Sequence, residues 1–213
     1  MKPPRQDRSR ETHGRIVEAA ERLLGRGRSW SDITVAELVR EAETSVGSFY
    51  NRFRDKDALL HVLQIELCEQ GLATAIQAQE LASAEFIPLD AAIRAFVALA
   101  VGSYRQQLGL RRALLVKMCD DHEFRTRSSE LARITCEGLT AVLHARFPHI
   151  DRAAARGWID VCHRLIYGTL DQNLLFGDVD PTGQGITDAV LVEEVTTAIV
   201  AYLEQRVGRP LHV

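Results

Sequence analysis

Two clusters in this 213-residue chain could handle protons or a metal ion. Asp160, His163, Arg164, Tyr167 and Asp171 recur at helical spacing, and Asp120-Asp121-His122 follows Cys119, so acid/base or metal chemistry is conceivable at either place. Neither has a spacing that fixes a reaction. The chain contains no HExxH, no G-x-S-x-G and no phosphate-cradling glycine loop, and Gly183-Gln184-Gly185 follows no strand pattern. Both clusters read better as a polar pocket lining or a solvated face, so no catalytic residue, metal ligand or cofactor is assigned. A different chemistry is better supplied between Thr34 and Lys56. The hydroxyls of Thr34, Thr44, Ser45 and Ser48, the small Gly47, the apolar Val46, the phenol of Tyr50, the amide of Asn51 and the cations Arg52 and Lys56 are groups that grip phosphates and read base edges.

The elements that must position these groups are legible locally. Ile33-Thr34-Val35-Ala36-Glu37-Leu38 offers a capping box, with Thr34 bonding the Glu37 amide and Glu37 reaching back, and a staple of Ile33 on Leu38. Ala36, Leu38, Val39 and Ala42 give the helix that follows a buried side, while Glu37, Arg40, Glu41 and Glu43 stay in water. A turn falls near Glu43-Thr44, and Ser45 caps a second short helix in which Gly47 and Ser48 permit close approach of a backbone or phosphate. Phe49 and Phe53, four apart, share a core face, which directs Thr44, Val46, Ser48, Tyr50 and Asn51 outward with Arg52 and Lys56 nearby. The same caps and Phe spacing would suit a helical hairpin that merely packs, and Val46 fits either a neutral surface or a thymine-methyl contact. Trp30, in the loop before Ile33, is expected to plug the core of this segment.

Charge distribution separates the chain into two parts. The whole has a formal net charge of -3, yet residues 1 to 56 hold 12 Lys or Arg against 9 Asp or Glu, leaving 14 against 20 for the remainder. The positive end is the reader end. Lys2, Arg5, Arg8 and Arg10 precede the first helix and read either as a flexible arm adding phosphate contacts or as a solvated tail.

The rest reads as helix after helix. Apolar spacing predicts helices at 9 to 26, 55 to 81, 89 to 107, 110 to 119, 123 to 147, 151 to 176 and 187 to 207, divided by Pro88, Gly109, Pro148 and the loop from 177 to 186. The fold class is all-α: a three-helix reader domain at 1 to 54, then a larger helical bundle at 55 to 213. No apolar run is long enough to cross a membrane, the N-terminus does not read as a signal peptide, and Cys68, Cys119, Cys136 and Cys162 form no CxxC pair. The cysteines are expected to be reduced, mostly buried small hydrophobes of a cytoplasmic protein.

The segment Glu43-Thr44-Ser45-Val46-Gly47-Ser48-Phe49-Tyr50-Asn51-Arg52-Phe53-Arg54-Asp55-Lys56-Asp57-Ala58-Leu59 resembles the reader of the TetR family of bacterial transcriptional regulators, with Ser45, Gly47, Tyr50, Phe53, Lys56 and Leu59 at matching places. Glu43-Thr44 departs from that family's Gly-Val in the turn, and the loop from Arg28 to Ile33 is about two residues longer than its norm. The resemblance implies Tyr50 and Lys56 on the DNA backbone and residues between Thr44 and Asn51 on base edges in the major groove. It also implies a homodimer on a palindromic operator of double-stranded DNA and a small-molecule effector that moves the helix beginning near Asp55 and releases a repressor. The inward polar candidates for the effector site are His61, Gln64, Tyr104, Met118, His144, His163 and Tyr167. The expected dimer seam is Leu170, Leu174 and Leu175 with Leu191, Val195, Ala198, Ile199 and Tyr202, unless those stripes are satisfied within the monomer. The rival readings are an enzyme, should the acids and His163 converge, and a ligand-binding or adaptor protein whose reader has decayed.

Overall fold

In a computed structural model the described residues are 5–84, 86–176 and 182–211, with side chains from Arg10 onward. Nine α-helices and no strand are found among them: α1 (Arg5–Gly25), α2 (Val35–Glu41), α3 (Val46–Tyr50), α4 (Lys56–Ser83), α5 (Leu89–Gln106), α6 (Leu108–Asp120), α7 (His122–Arg146), α8 (Arg152–Leu170) and α9 (Asp188–Val207). The all-helical expectation holds, and every long helix begins and ends within a few residues of its apolar pattern. The arm expected ahead of residue 9 is helical from Arg5, while Lys2, the side chains of Arg5 and Arg8, and residues 177 to 181 of the last loop lie outside the described residues.

The chain divides into two compact units, one of Met1–Leu67 with Gln107–Arg125, the other of Cys68–Gln106 with Thr126–Val213. The unit around the reader is therefore larger than residues 1 to 54 and takes in the start of α4 and all of α6. Its core runs through Ile16, Ala20 and Leu24 of α1, Leu38 of α2, Phe49, Phe53, Leu59, Leu60 and Leu63, with Leu110, Leu114 and Phe124 from the α6 end. Trp30 is buried in it as expected. Gly109 divides no helices. It sits in the first turn of α6, where a Cβ would come 2.1 Å from the Leu24 carbonyl oxygen, so the absent side chain is what lets α6 lie on α1.

In the second unit α5 packs chiefly on α9, burying Phe96, Val97 and Val101 against Leu191, Val195 and Ile199, and Arg94–Glu193 and Arg105–Asp188 pairs flank this contact. The Arg146 guanidinium donates to the carbonyls of Ala82, Ala84 and Ile87 at 2.7–2.9 Å, satisfying orphan acceptors at and beyond the end of α4. α8 runs on into a π-helical turn at Asp171–Leu175, and α9 starts on a Thr187 cap and stops at Gly208 in the left-handed region. Of the four cysteines only Cys162 is buried; Cys68 and Cys136 are half-buried and Cys119 is exposed, which corrects the expectation that most are buried. No helix among the described residues is long and apolar enough to cross a membrane.

Candidate nucleic-acid interface

α2 is fixed from both ends. The Thr34 hydroxyl accepts the Glu37 amide at 3.2 Å, and Glu37 Oε2 accepts the Thr34 amide at 2.9 Å and its hydroxyl at 3.0 Å, so the capping box forms as expected and holds the Glu37 carboxyl below its ordinary pKa. Ile33 and Leu38 are both fully buried. At the other end Glu41 accepts from Arg22 at 3.0 Å and from Arg26 at 3.1 Å, tying α2 to α1. Such exposed pairs add little energy singly. They do fix the azimuth of α2, and through it the turn.

The turn itself is strained. Glu43 has φ of 49°, the left-handed conformation that a β-carbon disfavours. Here the departure from glycine noted in the sequence has a backbone consequence, since the chain takes the turn that glycine would take freely. Glu43→Gly should raise stability by about 1 kcal/mol, read as a higher thermal midpoint. An unchanged or lower midpoint would mean that the turn holds no strain worth relieving.

α3 follows at once. Ser45 caps it, its Oγ accepting the Ser48 amide at 3.1 Å and donating to Ser48 Oγ at 3.0 Å. Phe49 and Phe53 enter the core with ring centroids 5.3 Å apart, and Tyr50 stands edge-on to Phe49 at 5.4 Å. That anchoring leaves Val46 47% and Tyr50 53% exposed, with Ser45, Gly47 and Asn51 also in water and Thr44 and Ser48 half-buried. The structure thus gathers seven of the ten expected contact residues, Thr44 to Ser48 with Tyr50 and Asn51, on one short stretch. Arg52 lies just behind, its guanidinium donating to the Ser48 carbonyl at 2.7 Å.

Thr34 and Lys56 stand apart from that group. Lys56 Nζ donates to the carbonyls of Trp30, Ile33 and Ser31 at 2.5, 2.7 and 3.4 Å, and it lies 5.2 Å from the Trp30 ring centre. Burial pulls its pKa below the ordinary lysine value. All three ammonium hydrogens have carbonyl acceptors, so Lys56 closes the long loop before α2 and has no donor left for a phosphate. Replacing it with Met should lower stability by about 2 kcal/mol and leave the salt dependence of DNA binding unchanged. A salt slope reduced by about one would return it to the DNA backbone.

Sequence reasoning passed over Arg40 as merely wet. It is exposed on α2 with no ion pair among the described residues, whereas Arg22, Arg26, Arg28 and Arg54 are all paired to carboxylates. Four of the twelve cations in the first 56 residues are therefore engaged by carboxylates, and Arg40 is one cation left for phosphate.

The seven candidate effector residues divide between the units. In the first, His61 stacks on Phe124 at 3.9 Å, the buried Gln64 donates to the Phe124 carbonyl at 2.8 Å, and Met118 packs beside the core. In the second, His144 Nδ1 lies 3.0 Å from the Ile150 carbonyl, and Tyr104 donates to Asp171 at 2.9 Å with its ring 6.1 Å from Tyr167. Of these, only His163, 4.5 Å from Tyr167, also lines an apolar cavity of about 70 Å³ in the second unit, whose walls include Ala78, Ala82, Ala92, Phe96, Ile159 and Ile166. Burial lowers the His163 pKa and pushes the neighbouring Cys162 thiol up to about 12, so the cavity wall is uncharged. Asp160 pairs with Arg164 at 2.9 Å on the solvated side of α8, and among the described residues no three His, Cys, Asp or Glu side chains converge to hold a metal.

Six of the eight expected seam residues, Leu170, Leu174, Leu175, Leu191, Val195 and Ile199, are buried inside the second unit itself, Tyr202 is half-buried under Arg206 at 5.2 Å, and Ala198 is exposed. The alternative kept open in the sequence is the one observed for the buried six: they hold the monomer's own core.

Residues 16–63 match the family model of the tetR family of bacterial regulatory proteins. No curated protein sequence matches the chain. Similar solved structures include a protein described as a TetR-family transcriptional regulator from Mesorhizobium loti, with a TM-score of 0.72 at 16% identity over 93% of this chain and 98% of that one. A TetR family member from Streptomyces coelicolor gives 0.59 at 22% identity over 87% and 96%. The transcriptional regulator FadR from Bacillus subtilis, in complex with stearoyl-CoA, gives 0.57 at 16% over 88% and 97%. At such identities these structures speak for the fold alone. The reader is thus the DNA-binding domain of the TetR family of bacterial regulatory proteins, set in a chain with the fold of that family's transcriptional regulators.

Proposed function

We propose that the protein is a ligand-responsive transcriptional repressor that binds a palindromic operator as a homodimer in the cytoplasm and is released by a small molecule. The observation that carries this reading is the face at Thr44 to Asn51: an exposed Val46, Tyr50 and Asn51 held on a capped, core-anchored α3, with the exposed Arg40 on α2. A surface of that kind offers shape and side chains to a major groove and nothing to a catalytic reaction. A dimer follows from the need for two such short readers to reach useful affinity on one duplex.

The effector reading rests on the second unit's cavity. At about 70 Å³ it holds roughly two waters by volume, and its lining is aliphatic but for Phe96, the Cys162 thiol and His163, the last held neutral near pH 7. It favours a neutral, largely apolar effector that enlarges the cavity by parting helices, a larger molecule being admitted only at the cost of more movement. FadR's stearoyl-CoA shows that a regulator of this fold can hold a long acyl group. Release from DNA then requires only that the ligand bind the DNA-incompetent arrangement more tightly than the competent one.

Selection of bound duplexes from a randomised pool tests the first half. We expect a two-fold symmetric site, and Tyr50→Ala to abolish binding to it without changing the dimer. Neutral aliphatic compounds, added to the bound complex, should release it where carboxylates of equal length do not. A pool from which nothing is retained would end the regulator reading.

A further inference from the structure

We propose that Val46 selects a thymine, so that each half-site carries an A·T pair opposite the first turn of α3. The inference rests on the DNA-binding reading and adds to it the base that is read. It comes from asking which groups on and beside α3 are already engaged within the protein. The hydroxyls of Ser45 and Ser48 are bonded to one another within the cap at 3.0 Å, Gly47 has no side chain, and the Arg52 guanidinium is turned back onto the Ser48 carbonyl at 2.7 Å. Lys56 is enclosed by three carbonyls and Arg54 is paired with Asp55 at 2.7 Å. α3 itself carries no arginine or lysine, and none of these three cations that follow it is placed for the bidentate contact that selects guanine.

Val46 is the side chain at the leading end of the helix, the end that meets base edges in this docking geometry, and it is 47% exposed. It has no donor or acceptor. The one apolar group that any base presents in the major groove is the thymine C5 methyl. Because Gly47 beside it adds no bulk, with nothing but Ser45 Oγ within 4 Å of where its Cβ would stand, the helix can settle close enough for van der Waals contact between the valine methyls and that group. A wrong base there leaves Val46 against a polar edge with nothing to satisfy it, so the contact discriminates by exclusion as well as attraction.

The test uses the full-length protein and the duplex recovered by selection. Each thymine of the half-site is replaced in turn by deoxyuridine, which removes only the methyl group. At one position in each half-site we expect affinity to fall about fourfold per methyl lost. A cytosine there should bind poorly and recover when it carries a 5-methyl group. In Val46→Ala, an exposed change that leaves the core untouched, the uridine effect should disappear at that position and persist elsewhere. Specific binding with no uridine-sensitive position, or with the same sensitivity in Val46→Ala, would overturn the assignment while leaving the regulator reading intact. Failure to retain any duplex would remove both.

Discussion

Gly109→Ala is expected to cost the protein about 3 kcal/mol or more and with it DNA binding at ordinary temperature. The new Cβ would stand 2.1 Å from the Leu24 carbonyl oxygen, 2.6 Å from its carbon and 3.2 Å from its Cα, and all three are backbone atoms that no rotamer change can move. Relief demands that α6 lift from α1, which opens the contact under Leu110 and Leu114, and the fully buried Leu24 belongs to the same core as Phe49 and Phe53 beneath α3. The reader would lose its brace although no residue near DNA had changed. Denaturant titration of Gly109→Ala beside Gly157→Ala checks this. Gly157 lies in α8 with nothing within 4 Å of its Cβ position, so alanine there should be neutral or stabilising by up to about 1 kcal/mol. Equal behaviour of the two variants would show that the α1–α6 approach is not tight.

The contrast between those glycines marks where sequence ceased to inform. Local signals were fully legible: the Thr34–Glu37 box, the Ser45 cap and the Phe49–Phe53 pair each involve residues within four positions, and each appears as read. Helix extents were legible for the same reason, since periodicity is a local property. What could not be read was any partner remote in sequence. Lys56 looked like a phosphate ligand because its three carbonyl partners lie 23 to 26 residues away. Gly109 looked like a helix divider because Leu24 was not in view. The side chains offered for an effector site were chosen for polarity, and most found partners within their own unit, whereas the cavity is made by Ala78, Ala82 and Ala92, whose small size leaves space that no motif announces.

Helix faces posed the same problem in another form, and the dimer seam turns on it. In α8 the residues at 162, 166 and 170 are buried, while the neighbouring stripe of Val161 and Leu165 and, beyond the π-helical turn, Phe176 face water at 37%, 44% and 47% exposure. α9 adds Val190 at 47% and an exposed Ala198. The proposed homodimer has these residues to join, since Leu174 and Leu191 are already covered. Glutamate at Leu165 should therefore weaken self-association about a hundredfold or more, because a charge would be buried unpaired at the seam, while the fold and its thermal midpoint stay near the parent's. Glutamate at Leu174, 3% exposed in the monomer, should instead unfold the second unit at a cost on the order of 4 kcal/mol. Light scattering and circular dichroism on the two variants separate the cases. A folded monomer from Leu174→Glu would restore the seam first read from the sequence, and an undisturbed dimer from Leu165→Glu would remove the outer stripe from it.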